Sequence, residues 1–153
     1  MSEGFLVARA DWEADRSAIR RIREQVFVHE LQVPAELEWD GLDADCVHLL
    51  AYDMEGRAIA TARMQANGHI GRMAVLAEWR GQGVGSALLL TLLELAGEHG
   101  LEEVFLNAQT QAAPFYHRHG FIAEAEPFEE GGIPHLRMSR FCADPAATSA
   151  LGE

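Results

Sequence analysis

Lysine is absent from this 153-residue chain: all twelve of its basic side chains are arginine, set against 24 carboxylates. That absence excludes two kinds of chemistry at once. A Walker A loop needs its lysine on the phosphates, and a Schiff-base enzyme needs an amine nucleophile. The formal charge of −12 argues equally against nucleic acid, whose binding rests on cations that neutralise phosphates. Cysteine is scarce as well. Cys46 and Cys142 stand far apart, with neither CxxC nor zinc-ligand spacing. No disulfide framework is expected, and a reduced, cytoplasmic setting fits. Long apolar runs are missing too. The longest, Ala87 to Ala96, is broken by Thr91 and Glu94 and is too short for a bilayer. The opening MSEGFLVARADW has neither the basic nor the apolar part of a secretory leader.

What remains is ordinary for a soluble globular protein, with 48% hydrophobic and 24% charged residues. One domain over residues 1–142 is expected, followed by a disordered tail from Ala143. Phe5 to Arg9 alternates weakly, as an opening strand does. Asp15 is placed to N-cap a helix over about Arg16–Val28, with Ile19, Ile22 and Val26 on one face. CVHLLAYD, AIATARMQ and HIGRMAVL read as three strands of an antiparallel meander, the last two joined through Asn67-Gly68, a strong hairpin signal. A helix over about Gly83–His99 follows, with Gly100 as its C-cap residue. VFLNA (104–108) is a short buried strand, and Pro114 opens a further helix that Gly120 closes. Strands FIAEAE (121–126) and HLRMSRF (135–141) end the chain. The order β-α-βββ-α-β-α-ββ describes an α/β (α+β) fold, a mixed but mostly antiparallel sheet with helices on both faces.

Between the meander and the long helix stands RGQGVGS (80–86). As a dinucleotide fingerprint GxGxxG it fails, because the third glycine falls on Ser86 and the next strand ends Asn107-Ala108 without the ribose-binding acid. Taken as Arg80, two residues, Gly83, one residue, Gly85, it offers successive N–H groups and a helix N-terminus. These would cradle a pyrophosphate without any lysine, the alternative being a flexible strand-to-helix connection with incidental glycines.

The stretch IGRMAVLAEWRGQGVGSALL resembles the acetyl-CoA-binding segment of the GNAT N-acetyltransferase superfamily. LNAQTQAAPFYHRHGF is similar to that family's second cofactor segment. RIREQVFVHELQVPAELEWDGLDADCVHLLAY and FEEGGIPHLRM resemble its ElaA-like branch, so that the likeness runs from about Phe5 to Phe141. The resemblance implies the fold already read from the residues, with acetyl-CoA as co-substrate and a small amine as acceptor. It implies that Arg80, Gly81, Gln82, Gly83, Val84, Gly85 and Ser86 seat the pyrophosphate. Arg72 to Val75, with Met73, Ala74 and Val75, would pair with the pantetheine arm, and Asn107 would hydrogen-bond it. Tyr116 stands where the family protonates the leaving thiolate, and a backbone N–H near Val75 would polarise the thioester carbonyl.

A base for the amine is less defined. His69 occupies the position at which some family members carry a carboxylate. His48 and His135 fall in strands that the branch resemblance highlights, and each serves equally as a core or edge histidine. His117 and His119 point apart on a helix, and no metal is expected. Residues 30–45 hold six acids, among them Glu30, Glu36 and Glu38, and no base; residues 124–130 hold four more. Such charge draws in a cationic acceptor or merely keeps the loops solvated. A non-catalytic acyl-CoA-binding or regulatory domain is the rival function, and a second copy of the chain, making a homodimer, is a candidate partner.

Overall fold

The computed structural model describes residues 4–142; the tail expected to be disordered from Ala143 lies outside the described residues. The chain divides into two compact units, residues 1–66 with 70–92, and residues 67–69 with 93–153. Its class is that read from the sequence: α/β, with strands that pair antiparallel within each unit.

In the first unit, β1 (Phe5–Ala10), β2 (Val47–Asp53), β3 (Ala58–Met64) and β4 (His69–Val75) form the meander. Helix α1 covers Trp12–Arg23, starting four residues earlier than the sequence suggests. Asp11 is the true N-cap and accepts from the Ala14 amide at 2.9 Å, while Asp15 reaches back to the Asp11 amide at 2.9 Å. Two aspartates four apart thus bond reciprocally at the helix start, in the manner of a capping box one residue longer, and the N-cap is Asp11 rather than the expected Asp15. The helix does not stop at Arg23. It widens into a π-helical stretch, Glu24–Glu30, ended by Gln32 in the left-handed region (φ +59°) and by Pro34. A single turn, α2 (Ala35–Glu38), follows. Ile19, Ile22 and Val26 pack on Leu50, Ala58 and Ala74, which seats α1 on the meander. Helix α3, Val84–Glu98, begins in this unit.

The second unit holds the end of α3, closed by Gly100 at φ +79°. Gly100 N–H donates to Gly97 O and Leu101 N–H to Ala96 O, both at 3.0 Å, a Schellman pattern. Strand β5 (Glu103–Gln109) pairs along its length with β8 (Ile133–Phe141). Between them lie α4 (Ala113–Arg118), β6 (Ile122–Ala123) and β7 (Phe128–Glu130). The expected six-residue strand from Phe121 shrinks to two residues on β8. Beyond Pro127 a new strand, β7, turns through Gly131 and Gly132, both in the left-handed region, onto the start of β8. Two glycines in a row allow the tight turn, and the turn lets the acidic segment pair rather than float.

The hairpin glycine is demanded twice over. Gly68 lies at φ +92°, and a Cβ there would stand 2.8 Å from Glu103 O. Its own carbonyl accepts from Phe105 N–H at 3.1 Å. Gly68→Ala is expected to cost about 1–3 kcal/mol, from the left-handed backbone and the clash together. Urea midpoints would show it; an unchanged midpoint would contradict the close approach.

Candidate active site

The glycine loop is built by the end of β4. After Val75, a turn over Ala77–Trp79 buries Trp79 and delivers Arg80 to the start of the loop. Gly81 (φ +76°) and Gly83 (φ +88°) both adopt the left-handed region, although a Cβ at either would meet nothing within 4 Å. Backbone conformation, not crowding, therefore requires glycine. The second of them leads into Val84, Gly85 and Ser86, the first turn of the 15-residue α3. Backbone N–H groups and the positive dipole end collect there, which is a seat for an anion. Gln82 braces the loop by donating to Glu78 O at 3.1 Å.

The Arg80 side chain is committed inside the unit. Its Nε donates to Val75 O at 2.9 Å, and its two terminal nitrogens grip the Glu30 carboxylate at 2.5 and 2.8 Å. The pair holds the Glu30 carboxyl below the usual carboxylate range, chiefly through the hydrogen bond from Arg80. The end of the π-helical stretch is thereby fastened to the start of the glycine loop. With that side chain committed, an anion at the loop would meet its backbone.

The acidic segment is not a solvated field. Arg23, wholly buried, donates to Glu38 Oε2 from Nε (3.2 Å) and Nη2 (3.1 Å) and to Asp43 Oδ1 at 2.7 Å. Arg63 donates to Asp43 Oδ1 at 2.9 Å and grips Asp40 at 2.5 and 3.0 Å. Arg72 reaches Glu38 Oε2 at 3.2 Å and Asp40 Oδ2 at 3.1 Å. With Glu30 on Arg80, four of the six acids in residues 30–45 are matched by arginines. The negative potential expected to attract a cationic acceptor is largely spent on those pairs. Burial pushes the Glu38 carboxyl up despite its arginines, while Arg63 holds Asp40 far below the usual range by hydrogen bonding.

His48 belongs to this network. Its Nε2 lies 2.8 Å from Asp43 O, so that Nε2 carries the proton and donates, because a carbonyl can only accept. The Nδ1 lone pair is buried with no partner, and the ring stacks on Trp12 at 4.8 Å. Burial lowers the pKa of this histidine and keeps it neutral. His48 is 1% exposed, so nothing here lets it meet an acceptor.

Strand β4 departs from a regular ladder. Gly71 faces Arg63 and Ala74 faces Thr61, which leaves Arg72 and Met73 opposite the single residue Ala62. Arg72 takes φ +49°, uncommon for a side chain of its size. The segment that the resemblance gives to the pantetheine arm, Met73–Ala74–Val75, thus starts at a β-bulge, a device common beside active sites.

Asn107, Tyr116 and His135 all belong to the second unit. Asn107 on β5 stands opposite Arg137, and Gln109 opposite His135, so these four share one face of the β5–β8 pair. His135 is 8% exposed. Its Nδ1 lies 2.7 Å from Ile133 O and must be the protonated nitrogen. Nε2 is then left as a lone pair, 3.9 Å from the Glu130 carboxylate. Phe128 flanks the ring at 6.0 Å, and Asn107 Nδ2 lies 3.5 Å from Glu130 Oε1. Tyr116 on α4 packs edge-on against Phe115 and Phe121. Burial pushes its phenol up to about 12. His69 is elsewhere engaged, its ring stacked on Phe105 at 4.7 Å. Arg137 covers the same Phe105 ring at 4.1 Å.

Sequence reading missed Arg23, Arg63, Arg72 and Glu130. Arg63 and Arg72 did carry a signal, since an arginine inside an apolar strand requires a buried acid, and the acids were concentrated in one segment. Among the described residues no group of three or more His, Cys, Asp or Glu could hold a metal ion. No described helix is long and apolar enough to cross a membrane.

Glycine loop, bulged strand and order of elements converge with the comparisons. The chain belongs to the GNAT acetyltransferases: the family model described as an acetyltransferase (GNAT) domain matches residues 13–141. Among curated proteins it is similar to the uncharacterized N-acetyltransferase YjcF of Bacillus subtilis. They are 39% identical over 123 residues, 78% of this chain and 87% of that protein. Within the family it falls in the ElaA-like branch. It is 34% identical to protein ElaA of Escherichia coli, over 80% of this chain and 85% of that one. The crystal structure of E. coli ElaA matches with a TM-score of 0.78 and 31% identity, over 90% of this chain and 99% of that one. An acyl-CoA N-acyltransferase from Pseudomonas aeruginosa matches with a TM-score of 0.77 and 33% identity, over 91% and 99%.

Proposed function

We propose that this chain moves acetyl from acetyl-CoA directly to the amine of a small acceptor. The observation that carries the reading is the loop whose glycines take φ +76° and +88° and feed the first turn of α3. Val84, Gly85 and Ser86, with the turn before them, would hold the pyrophosphate through their backbone. Met73, Ala74 and Val75 would lie along the pantetheine arm, and Asn107 would bond to it. Thioester chemistry supplies an activated acyl carbon, so that a neutral amine forms the amide and a thiol departs.

His135 is the base that the geometry favours. Its tautomer leaves Nε2 able to accept the amine's proton, and the Glu130 carboxylate 3.9 Å away stabilises the imidazolium that results. Tyr116 assists the departing sulfur. With its phenol pushed up to about 12, it sits well above a thiol near ~8.5. Outright proton donation is then uphill, and the hydroxyl acts as a hydrogen-bond donor that stabilises the departing thiolate. Burial raises both Cys46 and Cys142, which makes them poor nucleophiles and supports transfer without an acyl-enzyme. A cationic acceptor now draws support from Glu130 and its neighbours rather than from residues 30–45.

A panel of primary amines, polyamines and lysine peptides, read by thiol release from acetyl-CoA, tests the proposal. Release well above the acceptor-free rate with at least one amine is expected. Coenzyme A binding with no turnover on any amine would instead identify a regulatory acyl-CoA-binding domain.

A further inference from the structure

We propose that Glu38 and Asp40 form a clamp on Arg72 that positions the acyl-transfer segment of β4, an inference that rests on the transferase reading above. Arg72 combines a left-handed backbone, φ +49°, with a guanidinium held at several points. Its Nε lies 3.2 Å from Glu38 Oε2 and 3.3 Å from Glu38 O. Its Nη2 lies 3.2 Å from Glu38 O and 3.1 Å from Asp40 Oδ2. A non-glycine residue keeps such a conformation when its surroundings over-determine it, and these contacts do so.

The clamp is itself anchored. Glu38 takes two further bonds from the buried Arg23 of α1, and Asp40 is gripped by Arg63 of β3. Arg72 is thus tied through two acids to a helix and to the neighbouring strand. The acids come from α2 and the loop after it.

What the clamp controls follows from strand parity. With the bulge, Ala74 faces Thr61 and Val75 faces Ala60. A regular ladder continued from the Gly71–Arg63 pair would instead put Met73 opposite Thr61, and every later residue of β4 would change faces. Ala74, now 2% exposed in the core beside Ile19 and Ile22, would turn outward. The bulge therefore decides which backbone groups of Met73–Ala74–Val75 are directed at an acyl group and which at the core. Arg72, Glu38 and Asp40 act as positioning residues.

The test compares Glu38→Gln, Asp40→Asn, Arg72→Gln and Arg72→Gly with the unaltered protein, using the best acceptor from the panel. Each variant is expected to lose about ten- to a hundredfold in kcat, the scale of a small misplacement at a reacting group. The calorimetric Kd of coenzyme A should weaken by less than kcat falls, because the glycine loop proposed to seat the pyrophosphate is untouched and only the pantetheine segment shifts. Arg72→Gly is the decisive variant: it removes the backbone strain and the clamp together, so a merely structural role predicts a folded protein with full kcat. Asp40, partly exposed, keeps the test open if Glu38→Gln does not fold. Full kcat in folded Arg72→Gly or Asp40→Asn would overturn the clamp while leaving the transferase standing. Absence of thiol release by the unaltered protein would overturn the transferase reading and take the clamp with it.

Discussion

Arg23→Met should lower stability by up to about 3–5 kcal/mol, the cost of removing one member of a buried ion-pair network in which Arg72 still reaches Glu38 and Arg63 still reaches Asp43. For a chain of this size that is a fall in Tm of roughly 10 °C or more. Arg23 is wholly buried at the end of α1 and supplies charge to Glu38 and Asp43. It also stacks under the Trp39 ring at 4.9 Å. Methionine keeps the length and apolar stem but gives neither acid a proton donor. Differential scanning calorimetry of the two proteins measures the difference; equal Tm values would mean that the ion pairs contribute nothing net.

The same network sets a direction for pH. The arginines hold the Asp43 carboxyl below its ordinary value even though burial works to raise it. Its contribution is therefore complete above the unfolded value near ~3.9 and is lost as pH falls through the folded one. His48 is likewise lowered, by burial. The unfolded chain binds that proton more readily, so stability declines as pH drops below about 6.5. Glu38 works in the opposite sense: burial raises its carboxyl, and its contribution is lost as pH rises through the folded value. Melts between pH 7 and 5 should show a decline that His48→Gln removes. A profile unchanged by that substitution would place the titrating group elsewhere.

His135→Ala should lower kcat by about 10²- to 10⁴-fold, the range for removing a positioned base, with coenzyme A affinity retained. The expectation rests on the tautomer: the bond to Ile133 O fixes the proton on Nδ1 and leaves Nε2 to accept one. His48→Gln and His69→Ala lack that rationale and should leave kcat within about tenfold, below the range for losing a base. Tyr116→Phe should also lower kcat without weakening the coenzyme, by about 10²-fold for loss of the hydrogen-bond donor at the leaving sulfur. Initial rates of thiol release with calorimetric binding separate the effects. An undiminished kcat in His135→Ala would move the base to water or to another residue.

The three histidines show how far residue order could carry the site. All three stood in strands, and residue order gave none of them a decisive claim to be the base. Tertiary contacts separate them, since one is sealed against Trp12, one is stacked on Phe105, and one presents a lone pair beside Glu130. No spacing along the chain encodes those contacts. The acids of residues 30–45 teach the same lesson in reverse. Their number suggested an exposed negative surface, yet Arg23, Arg63, Arg72 and Arg80, drawn from four separate elements, neutralise most of them. A charge count along the chain is blind to partners up to fifty residues away.

Elements whose cause is local were legible. The meander followed from alternation and from Asn67-Gly68, α3 from its leucine spacing and Gly100, and the loop from glycines that must take positive φ. Their boundaries moved by a residue or two, and α1 began early because either of two aspartates could cap it. The lysine-free composition and the failed third glycine at Ser86 removed the nucleotide readings, and the likeness of two segments pointed to the GNAT family without coordinates. Tertiary structure alone decided the bulge at Arg72, the buried arginine network and the proton on His135. Each depends on which residues of distant elements are pressed together out of water, where an unpaired charge or lone pair costs far more than it does in a loop.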